Sequence, residues 1–146
     1  MNKFFQLILI SMFWSCGPGS GNSTYNALST TDKAKFDKYM ILGKDVYNTN
    51  CKNCHQPNGL GLRGIIPPLS GSDHLQNFQK DLPCLLLYGS KDSIMVNGVL
   101  YPPQMPEHKI SNLELAEVIT FINNSWGNEL GFVGVKDVDA LLNNCK

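Results

Sequence analysis

Cys51-Lys52-Asn53-Cys54-His55 is the stretch on which the reading of this chain turns. Two thiols three positions apart can each bond to a vinyl group of one haem, and the adjacent imidazole then reaches the iron from one face. With 5 Cys and 3 His among 146 residues, a shuffled chain contains the pattern with a chance of about 0.003. Two other chemistries stay open at this point. A dithiol redox pair calls for a βαβ pattern, whereas the flanks read as helix and Gly/Pro loop. A zinc site calls for two further Cys or His at short spacing, and Cys84 stands alone about thirty residues on.

Upstream, Phe36, Tyr39, Met40, Gly43, Val46 and Tyr47 recur at three- and four-residue steps, which predicts a helix over 32–49 with one apolar face. A glycine in mid-helix costs about 1 kcal/mol relative to alanine, so Gly43 marks a place where another backbone or a ring comes close. Near the other end, Ser111-Asn112-Leu113-Glu114 is a capping-box pattern. Behind it Leu115, Val118, Phe121 and Ile122 form a stripe that stops at Trp126-Gly127. The expected packing crosses Gly43 against the Val118/Phe121 face.

Between these helices the chain is irregular. Residues 57–71 hold four Gly and three Pro and read as loop; 74–80 and 82–88 read as short helices. Asn97-Gly98, flanked by apolar residues, predicts a hairpin, in whose arm Met95 is expected to pack. Then comes Tyr101-Pro102-Pro103-Gln104-Met105-Pro106. Three prolines around one methionine stiffen the backbone, and a stiff loop can present a soft thioether at a fixed place. His74 and His108 have polar neighbours and read as solvated surface histidines.

The order of these features resembles a class I mono-haem cytochrome c over residues 34–128: Gly43 and Tyr47 before Cys51, the CxxCH string, a loop reaching Pro67-Pro68-Leu69, Met105-Pro106, and a last helix closing on Asn-Ser-Trp-Gly-Asn. The resemblance implies an all-α fold with N- and C-terminal helices crossing around one covalent haem c. Cys51 and Cys54 would hold it, His55 would be the proximal iron ligand and Met105 the distal one. Pro67 or Pro68 would offer a carbonyl to the other imidazole nitrogen. Loop position further suggests Arg63 and Tyr101 near the haem carboxylates, and Leu60, Leu62, Ile65, Ile66, Leu69 and Leu100 as apolar cover. Such a site implies electron transfer without catalysis, with a dehydrogenase, a quinol-oxidising complex, an oxidase or a reductase as partner. The alternative is a haem sensor or peroxidase-like domain whose sixth ligand is labile.

The first 31 residues carry one charged side chain, Lys3, followed by an apolar run from Phe4 to Trp14, too short to span a bilayer and read as an export signal. Ser15-Cys16 and the Gly17-Pro18-Gly19-Ser20 behind it resemble a bacterial lipoprotein processing site, which implies a lipid anchor on Cys16 and the periplasmic side of a membrane. The expected organisation is therefore a signal at 1–15, a lipidated Cys and flexible tether at 16–31, and a domain at 32–146 with an extension at 128–146. The whole chain has 12 basic and 12 acidic residues. That balance offers no field for nucleic acid and no acidic tail. With Cys16 assigned to lipid and Cys51 and Cys54 to haem, Cys84 and Cys145 remain in an oxidising compartment. They are expected to form a disulfide, the alternative being two buried free thiols.

Overall fold

The computed structural model describes residues 23–145, so the signal segment and Cys16 lie outside the described residues. Its elements in order are α1 (Ser23–Asn26), α2 (Thr30–Asn50), α3 (Lys52–His55), α4 (Asp73–Asn77), α5 (Leu82–Tyr88), β1 (Ile94–Val96), β2 (Val99–Tyr101), α6 (Asn112–Asn123) and α7 (Val135–Leu142). The fold is helix-dominated, and among the described residues the one sheet is the β1–β2 hairpin.

The core is built on the crossing of α2 and α6. Ser29 caps α2, its hydroxyl accepting from the Asp32 amide at 3.2 Å. Phe36, Tyr39, Gly43 and Tyr47 form the buried stripe, while Met40 and Val46 at its margin are half-buried. At the crossing, a Cβ on Gly43 would collide with the backbone carbonyl of Glu117 and with Cβ of Phe121. Only the absence of a side chain lets the two backbones approach this closely. Next to it Tyr47, Phe121 and Trp126 pack ring on ring, with centroids 5.1 to 5.5 Å apart. Helix α6 begins in the expected box, Glu114 accepting from the Ser111 amide at 2.7 Å. It is buried nearly all round because α2, α5 and α7 each pack on it.

Three expectations change. Residues 23–29 do not behave as tether: Ser23 Oγ donates to Glu129 at 2.6 Å, and the Tyr25 ring packs edge-on against Phe36 at 5.4 Å. Helix α4 ends at Asn77, short of the anticipated residue 80, and the Gln79 side chain donates to the Leu75 carbonyl at 2.7 Å beyond its end. Met95 is 55 % exposed and its cross-strand neighbour Leu100 is 62 % exposed. Strand alternation turns Val96 and Tyr101 inward and this pair outward. The turn between the strands has φ of 49° at Asn97 and 75° at Gly98, the conformation in which Asn-Gly closes a two-residue hairpin.

The tail is fixed to the body. Sγ atoms of Cys84 on α5 and Cys145 beyond α7 are bonded at 2.00 Å, joining positions 61 apart in sequence. Val138 of α7 is fully buried against the core.

Candidate haem site

Cys51 ends α2 and starts α3, and the His55 amide donates to its carbonyl at 2.9 Å. One helical turn therefore sets Cys51, Cys54 and His55 at i, i+3 and i+4, on one face. All three line the same cleft, of about 1130 Å³ counting the space open at its mouth. The turn is stopped by Gln56, whose φ of 66° and ψ of 159° lie in a region nearly reserved for glycine, at a cost of order 1–3 kcal/mol. Three bonds hold it there: its amide donates to the Lys52 carbonyl at 2.9 Å, and its carbonyl accepts from the Gly59 amide at 3.1 Å and from the Tyr47 hydroxyl at 2.6 Å. Burial raises the Tyr47 pKa far above the ordinary phenol value, so this hydroxyl stays a donor.

His55 Nδ1 lies 3.0 Å from the Pro67 carbonyl oxygen. A carbonyl only accepts, so Nδ1 carries the proton and the Nε2 lone pair is left for a metal. Burial lowers the His55 pKa, against the raising effect of that bond, and a charge on His108 would lower it further. The imidazole is accordingly held neutral, the form that ligates. Burial, and next the neighbouring Cys54, push the Cys51 thiol up to about 11. That is the reverse of the lowered value a reactive dithiol or a zinc thiolate needs.

Met105 reaches the cleft from the loop after the hairpin. Its carbonyl accepts from the Ser90 amide at 3.0 Å, and the His108 amide donates to the Leu87 carbonyl at 3.3 Å, so the loop lies along the end of α5. Gly89 makes this possible: its φ is +72°, and a Cβ there would sit 2.5 Å from the Met105 carbonyl oxygen. Ile65, Ile66, Leu69, Leu82, Leu86 and Val118 supply much of the apolar wall.

Several sequence expectations are corrected by this geometry. Leu60, Leu62 and Leu100 are exposed and do not line the cleft; Arg63 and Tyr101 do not line it either, Tyr101 being the buried last residue of β2. His74 and His108 are half-buried and do line it, His74 stacked on Phe78 with centroids 4.2 Å apart. Polar neighbours in sequence gave no sign of this, because short helices and loops carry no periodicity from which an inward face can be read. Cys51, Cys54, His55, Pro67, Pro68 and Met105 all fall on the cleft.

The donor set fits an iron porphyrin. No group of three or more His, Cys, Asp or Glu among the described residues could hold a bare ion. One imidazole, two thiols and one thioether on a largely apolar cleft suit a flat macrocycle that brings its own equatorial nitrogens. Fold and site thus fit a small helical haem protein, in which Cys51 and Cys54 are the residues that would hold the cofactor.

Comparison with known proteins narrows this further. The family profile of Cytochrome c matches residues 40–126. Cytochrome c-552 of Thermus thermophilus is 32% identical over 105 residues, covering 67% of this chain and 78% of that protein. The cytochrome c subunit of the quinone alcohol dehydrogenase of Gluconacetobacter polyoxogenes is 29% identical over 135 residues, 85% of this chain. Its counterpart in Gluconobacter oxydans is 31% identical over 110 residues, 68% of this chain. The chain spans 27% and 21% of the length of those two subunits. The chain belongs to the cytochrome c family, of class I type, and carries covalent haem c for electron transfer.

Proposed function

We propose that the protein is a membrane-tethered one-electron carrier with His55 and Met105 as axial ligands. Haem bound through Cys51 and Cys54 supplies a one-electron couple, and the protein supplies its surroundings. Pro67 fixes the tautomer and ring orientation of His55 through the 3.0 Å contact at Nδ1. The proline-braced loop, anchored at Ser90, holds the Met105 thioether in the same cleft. With His55 and Met105 both holding the iron, a gas or peroxide would find no place to bind, and the apolar walls would limit water. Methionine as the second ligand raises the potential relative to a second histidine. Cys54 is exposed while lining the cleft, so the attached edge faces a docking partner.

The observation that carries this reading is that Cys51, Cys54, His55 and Met105 share one cleft although the last is some fifty residues away in sequence. The names of the alcohol dehydrogenase subunits support a dehydrogenase as the electron donor, with an oxidase or reductase downstream. The signal at 1–15 and a diacylated Cys16 would place the domain on the periplasmic side of a membrane. The haem-loaded protein tests the ligand set: the ferric form shows the near-infrared band of methionine-to-iron charge transfer, and the ferrous form does not bind carbon monoxide. Met105→Ala loses the band and gains carbon monoxide binding. A wild type that binds the gas readily favours a sensor or peroxidase-like role instead.

A further inference from the structure

Asn128 is 7 % exposed and lies just past the end of α6. Its Nδ2 donates to the Leu69 carbonyl at 3.0 Å and to the Ile122 carbonyl at 2.9 Å, and its Oδ1 accepts from the Gly71 amide at 2.9 Å. One side-chain amide therefore ties the corner at Leu69–Gly71 to the last turn of α6. The same corner is braced from other sides too, Asn97 Nδ2 donating to the Gly71 carbonyl at 3.1 Å. Ser70 Oγ donates to the Trp126 carbonyl at 3.2 Å, and the amides of Leu69 and Ser70 donate to the Gly59 carbonyl at 2.7 and 3.0 Å.

Two residues before Leu69 is Pro67, whose carbonyl oxygen stands 3.0 Å from His55 Nδ1. Between them lies Pro68, and rings that fix φ near −65° leave the pair little freedom to absorb movement. A shift of the Leu69 corner is passed to the Pro67 carbonyl rather than taken up on the way. We propose that Asn128 is a positioning residue for His55, acting through Leu69 and the proline pair to hold the carbonyl that orients the imidazole and sets its basicity. The proposal rests on the reading of His55 as the proximal ligand. A carbonyl accepting from Nδ1 makes the ring a stronger donor through Nε2, which favours the oxidised metal; weakening that bond favours the reduced one.

The test uses the haem-loaded full chain and two readouts: the reduction potential, and the rate at which the His55 Nδ1 proton exchanges with solvent in the reduced protein by NMR. Asn128→Ala shifts the equilibrium about tenfold toward the reduced form, close to 59 mV for one electron, and speeds that exchange at least tenfold. Asn128→Ser falls between it and wild type, and carries the same two criteria if the alanine variant does not accumulate. Asn123→Ala is the control for mere destabilisation. Asn123 is fully buried on α6 and exchanges hydrogen bonds of 2.7 and 3.1 Å with Gln79, with no bond to the Leu69–Gly71 corner. If the Asn128 variants move potential and exchange no further than Asn123→Ala at equal loss of stability, Asn128 is only structural and the proposal is overturned. A wild type without a protected Nδ1 proton overturns the reading of His55 itself, before any substitution is made.

Discussion

Tyr47 shows how one side chain can serve both core and site. Its ring fills the α2–α6 crossing, and its hydroxyl, at 2.6 Å from the Gln56 carbonyl, holds the unfavourable backbone that ends the turn carrying His55. Tyr47→Phe keeps the ring and leaves that carbonyl with the Gly59 amide alone, at 3.1 Å, so thermal or denaturant unfolding should show a loss of about 0.5–1.5 kcal/mol. Glu117 gives the pH counterpart. It is 4 % exposed, and burial raises its pKa, partly offset by Lys38. A raised acid favours the folded state fully only below its unfolded value of 4.5, and that advantage is lost as pH rises through the folded value. Glu117→Gln should therefore be more stable than wild type at neutral pH, with the gap closing as pH falls toward 4.5, as denaturation curves across that range would show. Of the residues at the site, the cysteines and His55 were legible because their chemistry demands fixed spacing. His74, His108 and Asn128 were not, because what brings them to their places is tertiary.

Among the elements, α2 and α6 were the readable ones: both are long, periodic and capped, and Gly43 announced their contact. Gly43→Ala gains about 1 kcal/mol of helix propensity but places a Cβ on the Glu117 carbonyl, so the helices must separate. The expected result is a net loss of about 1–3 kcal/mol in denaturant unfolding, whereas a stabilised variant would mean the crossing is looser than described. The hairpin was legible in its turn and misread in its faces. Ile94-Met95-Val96 is apolar at every position, so alternation, which decides who points inward, leaves no trace in such a run. The loop at 57–71 could be named a loop, but its path could not, since it is set by hydrogen bonds to Trp126 and Asn128 from far along the chain.

For the whole molecule, the disulfide and the site converge on α5. Cys84 ties this helix to the tail, and its far end supports the Met105 loop through Leu87, Gly89 and Ser90. Removing the bond in Cys84→Ser/Cys145→Ser frees a loop of about 60 residues, worth about 4 kcal/mol in the chain-entropy picture, and should lower the unfolding free energy by about 2–4 kcal/mol. The architecture followed from the sequence because a motif, two amphipathic helices and a proline-rich methionine loop agree on one arrangement. The start of the domain did not, because residues 23–29 owe their order to Glu129 and Phe36. The central claim is that His55 and Met105 close a covalent haem from both sides. The proton NMR spectrum of the reduced, haem-loaded protein tests it most directly, because a methyl group held against the porphyrin face is carried far upfield by the ring current. The account requires one three-proton resonance of this kind, absent in Met105→Ala; its absence from the wild type, or its survival in that variant, would contradict the claim.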